Sequence, residues 1–176
     1  MFDYQIFKVV NDLAGRWVPL DWFGIFCAKY LIFIMLFAAA LPTFFYKNKK
    51  EKMERFVFAI RVFLSGIFAY AFKLVFVLFY NRPRPFAAHD VVQLVNRSVD
   101  GSFPSSHATV AFAVAFSVFL HNKKYGAAFI FLAFLVGLGR IYVGVHYPID
   151  IIGGIFVGGL SALIVEKISK SFRLKI

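Results

Sequence analysis

The stretch Gly139-Arg140-Ile141-Tyr142-Val143-Gly144-Val145-His146-Tyr147-Pro148-Ile149-Asp150 is a polar interruption between two apolar runs. Pro148 suits the first turn of a helix, where its missing N–H costs no hydrogen bond. That places His146 just before a helix start and Asp150 in the first turn. From there a carboxylate can reach one ring nitrogen of the histidine, fix its tautomer and leave the other nitrogen free to attack. Arg140 offers a planar, permanently charged fork for a phosphate-like anion. Taken singly, each of the three is as well read as an ordinary polar residue at the mouth of a membrane helix.

The apolar runs set the fold class. Of 176 residues, 61% are hydrophobic and 25 are Phe, while only 16% are charged. A soluble domain does not carry so much apolar surface. The expectation is an all-α, polytopic membrane helix bundle forming one domain over 1–176. About five transmembrane helices are expected, near 20–46, 56–80, 104–120, 127–142 and 148–168. Residues 2–13 set Phe2, Ile6, Val9, Val10 and Leu13 at helical spacing among Asp3, Lys8 and Asp12. That segment is too short and polar to span, and reads as an interfacial amphipathic helix. Trp17 and Trp22 follow as interface anchors. Residues 1–20 lack a basic head with a continuous apolar run, so no cleavable signal peptide is expected. Cys27 is the only cysteine, so no intrachain disulfide can form.

The net charge is +11, which raises nucleic acid as a partner. The basic residues argue otherwise, because they cluster in short segments between the spans. The loop 47–55, the turn 121–126 and the tail with Lys167, Lys170, Arg173 and Lys175 hold eleven of the twenty Lys and Arg. With alternating spans all three fall on one side, the cytoplasmic side by the positive-inside rule. The expected location is therefore the plasma membrane, multi-pass, with the C-terminus cytoplasmic. The loops 81–105 and 140–148 then share the extracytoplasmic face. This inference uses no motif, yet it gathers the chemically suggestive residues at one end.

Two further motifs lie there. In Gly101-Ser102-Phe103-Pro104-Ser105-Ser106-His107 a proline again opens an apolar run. The first N–H groups of such a helix lack internal partners and, with the dipole, attract an anion. Ser105 and Ser106 add hydroxyls, and His107 in the first turn can protonate a leaving oxygen. Ordinary serine N-capping explains this motif equally well. In Asn81-Arg82-Pro83-Arg84-Pro85-Phe86 two arginines alternate with prolines and cannot continue a helix. They bind an anion or anchor to lipid headgroups. Lys73 lies deeper in the preceding span, where an ammonium usually has a partner or a task.

The three motifs resemble those of the type 2 phosphatidic acid phosphatase superfamily. That family carries Lys-x6-Arg-Pro, Pro-Ser-Gly-His and Ser-Arg-x5-His-x3-Asp elements. Arg84-Pro85, Pro104-Ser105-Ser106-His107 and Arg140-x5-His146-x3-Asp150 match them in order, over about residues 56–168. Within the family the chain most resembles the bacitracin-resistance type of undecaprenyl-diphosphate phosphatase. The support is Pro83-Arg84-Pro85-Phe86 with Ala88-His89-Asp90, the short length, Tyr4-Gln5-Ile6-Phe7, and Gly144 to Asp150. There are three departures. The family lysine falls at Val77, with Lys73 one turn deeper on the same helix face. Ser106 replaces the motif glycine. Gly139 replaces the serine before the arginine.

The resemblance implies a lipid phosphatase that uses no cofactor and no metal. His146, aligned by Asp150, would form a phosphohistidine, and His107 would serve the leaving oxygen and then water. Arg84, Arg140, Ser105, Ser106, Lys73 and Arg82 would hold the phosphate. The implied partners are a lipid-phosphate substrate and membrane lipids, with no nucleic acid. A polyprenyl diphosphate is the first reading; phosphatidylglycerophosphate or phosphatidic acid is the alternative. A vanadate-dependent haloperoxidase shares the motifs, but such enzymes are soluble. A different class stays open: a non-catalytic lipid-binding or transport protein whose Lys29, Arg61 and Lys73 line a polar path. His89 and Asp90 read as a solvated turn, and His121 and Glu166 as surface residues. Gly153-Gly154 and Gly158-Gly159 read as a close helix contact.

Overall fold

Every regular element of the computed structural model, which describes residues 2–173, is helical. The helices are α1 (Phe2–Asn11), α2 (Val18–Lys29), α3 (Leu31–Ala40), α4 (Lys49–Phe79), α5 (Pro85–Ala88), α6 (Ser106–His121), α7 (Lys123–Tyr142) and α8 (Pro148–Arg173). A 3-10 turn, Leu41–Phe44, follows α3. Local chemistry sets several of the starts. The Asn48 side chain accepts the Glu51 N–H at 2.9 Å, while Glu51 accepts the Lys47 N–H, a reciprocal cap. Asn122 caps α7 by accepting the Tyr125 N–H. Pro148 opens α8.

Helix α6 is the centre of the bundle, packed against α3, α4, α7 and α8. Ala108, Ala111, Phe112, Ala113, Val114 and Ala115 are all fully buried. A helix buried on all sides is the interior one. Lipid offers no hydrophobic drive between helices, so close approach through small residues matters. At Gly158 of α8 a Cβ would lie 2.6 Å from the Thr109 carbonyl oxygen of α6. The expected close contact is there. The outer faces are oily: Phe33, Phe37, Phe131 and Phe156 are each more than 60% exposed. Such exposure suits acyl chains rather than water.

Three helices, Lys49–Phe79, Lys123–Tyr142 and Pro148–Ser171, are long and apolar enough to cross a membrane alone. The expected span 20–46 is broken at Tyr30 into two helices bent by 50°, which taken together are long and apolar enough for a fourth crossing. The expected span 104–120 is α6, Ser106–His121. At 16 residues α6 is roughly 24 Å long, less than the roughly 30 Å of a hydrocarbon core. Its neighbours enclose it, so it need not match the bilayer.

Helix α1 is amphipathic as read. Phe2, Ile6 and Val9 form the expected apolar stripe and face outward, away from the bundle, at 75%, 40% and 73% exposure. The opposite face, with Asp3, Phe7 and Asn11, docks on the bundle. Phe7 and Asn11 are buried. The Asn11 amide donates to the Val92 and Tyr142 carbonyls and accepts the Val92 N–H. The protein supplies the polar partners and the surroundings are apolar, which inverts the usual orientation.

The chain alternates so that the basic loop 47–55, the turn at 121–124 and the end of α8 share one end of the bundle. Helix α1, the segment 80–105 and the 143–147 turn share the other. Lys175 lies outside the described residues. Of the two residues read as surface ones at the basic end, His121 is exposed and Glu166 is partly buried. Glu166 pairs with Arg61 at 3.2 Å with both side chains largely buried, and the His121 ring stacks on Phe58 at 4.3 Å.

Candidate active site

The histidine that ends the α7–α8 turn is 2% exposed. Arg84 Nη1 lies 3.2 Å from His146 Nε2 and 3.1 Å from the Val145 carbonyl. Arginine only donates. Nε2 is therefore the acceptor, and the ring proton belongs on Nδ1. That nitrogen faces Asp150 Oδ2 at 3.5 Å, longer than a hydrogen bond of normal length. The reason is local. Asp150 is the third residue of α8, and its Oδ2 reaches back to the Tyr147 N–H at 2.9 Å, closing the box that caps the helix. The carboxylate thus caps the helix with the same oxygen that faces the ring.

Burial first, then the guanidinium charges of Arg140, Arg84 and Arg97, push the His146 pKa well below 6.5. The imidazole is therefore neutral at neutral pH. A neutral ring with its proton on Nδ1 presents the Nε2 lone pair, and that lone pair is turned toward a cation. This is the state of a nitrogen nucleophile.

Arg84 is itself fully buried. Its Nε and Nη2 bind Asp100 Oδ1 at 3.3 and 3.0 Å, and Nη2 also meets the Gly101 carbonyl. Asp100 therefore fixes the fork beside His146. The sequence reading missed it, since a lone Asp in a polar loop carries no signal.

Arg140, near the end of α7, is 2% exposed. Its Nη1 donates to the Ala28 carbonyl at 3.2 Å, while Nε and Nη2 have no protein partner. The Gly139 position explains one departure from the family pattern. A Cβ there would lie 2.8 Å from the Ala28 nitrogen and 2.9 Å from Cys27 Cβ. Helix α2 passes too closely for a serine.

The hydroxyls of Ser102, Ser105 and Thr109 are likewise buried without partners. Ser105 precedes α6 but makes no side-chain cap, so the ordinary capping explanation fails for it. Its N–H is engaged, donating to the Asp150 carbonyl at 3.1 Å and tying α6 to α8. The next N–H groups, of Ser106 and His107, open the helix and are free of intrahelical bonds by geometry. His107 is partly buried and lies within electrostatic range of Arg140, His146 and Arg84. Unpartnered buried donors are rare. Arg140 lies within electrostatic range of His146, and these buried donors need acceptor oxygens.

Arg82 points elsewhere. Its Nη1 binds Asp150 Oδ1 at 2.9 Å, its Nη2 binds Asp3 Oδ2 at 2.6 Å, and it stacks on Tyr147 at 4.0 Å. Its charge is committed to carboxylates, so it does not join the free donors, contrary to its expected place among the phosphate ligands. Asp3 also accepts the Ile149 N–H at 3.0 Å. The result is a row running Asp3, Arg82, Asp150, His146. Asp3 carried no signal in the sequence beyond standing in the first turn of a helix.

The three cations expected along a transport path take separate places. Lys29 is exposed beside Tyr30, and Arg61 is bound to Glu166 at the basic end. Lys73 is 6% exposed, within range of Asp100 and Arg84. It thus backs the histidine site. His89 is exposed, its ring stacked on Tyr4 at 4.0 Å.

Comparison with known proteins gives the family. The chain is 32% identical over 155 residues to the undecaprenyl-diphosphatase BcrC of Bacillus subtilis (strain 168), covering 88% of this chain and 78% of that one. It is 32% identical over 160 residues to the bacitracin transport permease protein BcrC of Bacillus licheniformis, covering 90% and 76%. The crystal structure of Aquifex aeolicus LpxE superposes with a TM-score of 0.72 at 26% identity, covering 95% of this chain and 96% of that one. The PAP2 superfamily model matches residues 56–173, a range that contains every motif described above except the α1 contacts, and the chain belongs to that superfamily.

Proposed function

We propose that this membrane lipid phosphatase removes the terminal phosphate of a polyprenyl diphosphate, undecaprenyl diphosphate in the first instance, through a phosphohistidine. The observation that carries the reading is the set of buried, unpartnered donors around an uncharged His146. The site lies at the end of the bundle remote from the basic loops, which supports an extracytoplasmic site and a cytoplasmic C-terminus. A lipid with its tail in the bilayer would bring its phosphate to this level.

His146 Nε2 attacks the terminal phosphorus. The bond from phosphorus to the bridging oxygen breaks, and His107 gives that oxygen a proton as polyprenyl phosphate leaves. Water then attacks the phosphohistidine, His107 takes its proton, the P–N bond breaks and inorganic phosphate departs. Arg84, Arg140, the Ser105 hydroxyl and the N–H groups of Ser106 and His107 stabilise the equatorial oxygens, where charge develops. Lys73 adds positive potential from beneath. The guanidinium groups supply the charge that a metal would otherwise bring. Among the described residues, no three His, Cys, Asp or Glu side chains converge to hold one.

The test is phosphate release by purified protein in EDTA, with undecaprenyl diphosphate, phosphatidylglycerophosphate and phosphatidic acid. The expected result is metal-free release, fastest with the diphosphate. Release that is lost in EDTA and restored by a divalent cation would overturn the metal-independent mechanism. A faster rate with phosphatidic acid or phosphatidylglycerophosphate would overturn the substrate assignment.

Arg82 and Asp3 are positioning residues in this scheme, acting through Asp150. Asp3→Asn is expected to lower kcat about tenfold with KM nearly unchanged, since misplacing a catalytic group slows the step without loosening the substrate. Asp3→Glu should restore part of the loss. A rise in KM at constant kcat would instead place Asp3 in substrate binding.

A further inference from the structure

At the basic end of the bundle, α4, α6 and α8 enclose a second polar cavity of about 270 Å3. Arg61, Ser117, His121, Glu166 and Lys170 line it. Arg61 Nη1 donates to Glu166 Oε2 at 3.2 Å, and Lys170 holds the other oxygen, Oε1, at 3.1 Å. Both carboxylate oxygens are thereby engaged, and the lining keeps one net positive charge from two cations and one anion. Arg61 Nε and Nη2 are buried without a partner, and so is the Ser117 hydroxyl. Ser117 itself is 9% exposed. Ser65 is not among the free groups, because its hydroxyl donates to the Arg61 carbonyl at 2.8 Å.

The geometry of the free donors is specific. With Nη1 on Glu166, the guanidinium still offers the edge made of Nε and Nη2. Two parallel N–H groups on one edge match two oxygens of a phosphate. A salt bridge formed only for stability leaves no reason for this edge and a hydroxyl to remain buried and unpartnered together.

An apolar groove of about 780 Å3 runs between α4 and α8 beside the cavity. Ile60, Leu64, Phe68, Val165 and Ile168 line it, and Arg61 belongs to both walls. A phosphate on the Arg61 edge would therefore stand at the head of a channel shaped for a chain. Lys170, whose side chain is 71% exposed, stands nearby.

We propose that this cavity and groove form a binding site for an anionic diacyl phospholipid of the leaflet at the basic end. Its phosphodiester would lie on Arg61 Nε and Nη2 and the Ser117 hydroxyl, with one acyl chain between α4 and α8. A phosphodiester carries no terminal phosphate, so this occupant is distinct from any substrate of the histidine site. The site does not depend on the catalytic reading.

The experiment uses the full chain purified in detergent, with bound lipid counted by native mass spectrometry. The probes are dioleoyl phosphatidylglycerol, dioleoyl phosphatidylcholine, inorganic phosphate and glycerol 3-phosphate. Phosphatidylglycerol is expected to be held at least tenfold more tightly than phosphatidylcholine. The double variant Arg61→Gln/Glu166→Gln, which removes both charges together, should abolish that preference. Ser117→Val leaves the ion pair intact and should weaken retention several-fold, so it decides the matter if the double variant does not fold. Equal retention of phosphatidylglycerol by wild type and Ser117→Val would overturn the proposal. So would inorganic phosphate or glycerol 3-phosphate displacing the lipid at equal concentration, because the groove would then contribute nothing.

Discussion

His146→Ala is expected to lower phosphate release by a factor of roughly 10^4 or more, with the protein still folded and still able to bind lipid. Removing a nucleophile deletes the covalent route, and the remaining site can only position water. The expectation rests on the ring's state. His146 Nε2 accepts from Arg84 at 3.2 Å, and burial with the surrounding arginines keeps the ring neutral. The sign of the pH effect follows. A pKa pushed below 6.5 means that acid does not silence His146 until the pH falls below that of an ordinary histidine. Between pH 7 and 6, where a free imidazole becomes mostly protonated, the lone pair stays available. The companion measurement is a rapid alkaline quench with labelled substrate, with acid treatment of a second portion. Base-stable, acid-labile label on wild type, absent from His146→Ala, identifies the phosphohistidine. Turnover of His146→Ala near the wild-type rate would remove His146 from its assigned role.

Arg140→Met is expected to lower kcat by about 10^2 to 10^3, the usual effect of losing one preorganised donor to a developing anion. The same change should leave the thermal midpoint unchanged or raise it. Arg140 is buried with Nε and Nη2 unpartnered. Each unsatisfied buried group costs on the order of 1–3 kcal/mol, and more when charged. A methionine of similar length fills the space without that cost. Opposite directions for activity and stability separate a functional arginine from a structural one. A structural arginine would lose both together, since its hydrogen bond to the Ala28 carbonyl at 3.2 Å joins α7 to α2. Arg140→Lys should recover little, because an ammonium lacks the paired donors of the fork.

What could be read in advance divides along a physical line. Features fixed by adjacent residues were legible. Pro148 opens α8, Asp150 reaches back along the first turn, and Arg140 lies in the last turn of α7; all of this follows from spacing. The broad class followed from oiliness, and the gathering of motifs at one end followed from charge. Features fixed by contacts across the chain were hidden. Arg82 and Arg84 stand two residues apart in a stiff segment, and the prolines do not say which one meets the histidine. The carboxylates decide, Asp100 taking Arg84 while Asp3 and Asp150 take Arg82. The docking of α1 was hidden for a different reason. The apolar stripe of an interfacial helix names the side that faces lipid, and the contacts to the bundle come from the few polar residues, Asp3 and Asn11. The break at Tyr30 was hidden too, since hydropathy counts oily residues without showing where a helix bends.

The contact between Asp3 and the Ile149 N–H joins residues 146 positions apart, and it bears on how the protein is made. Translation delivers α1 long before α8. Until α8 leaves the ribosome, Arg82 has only Asp3, His146 has no carboxylate beside it, and α6 lacks the neighbour that closes its side. A nascent chain truncated anywhere before residue 148 therefore holds the arginines and both histidines of the motifs, or fewer, without an assembled centre. Competence arrives in one step, when α8 enters the membrane.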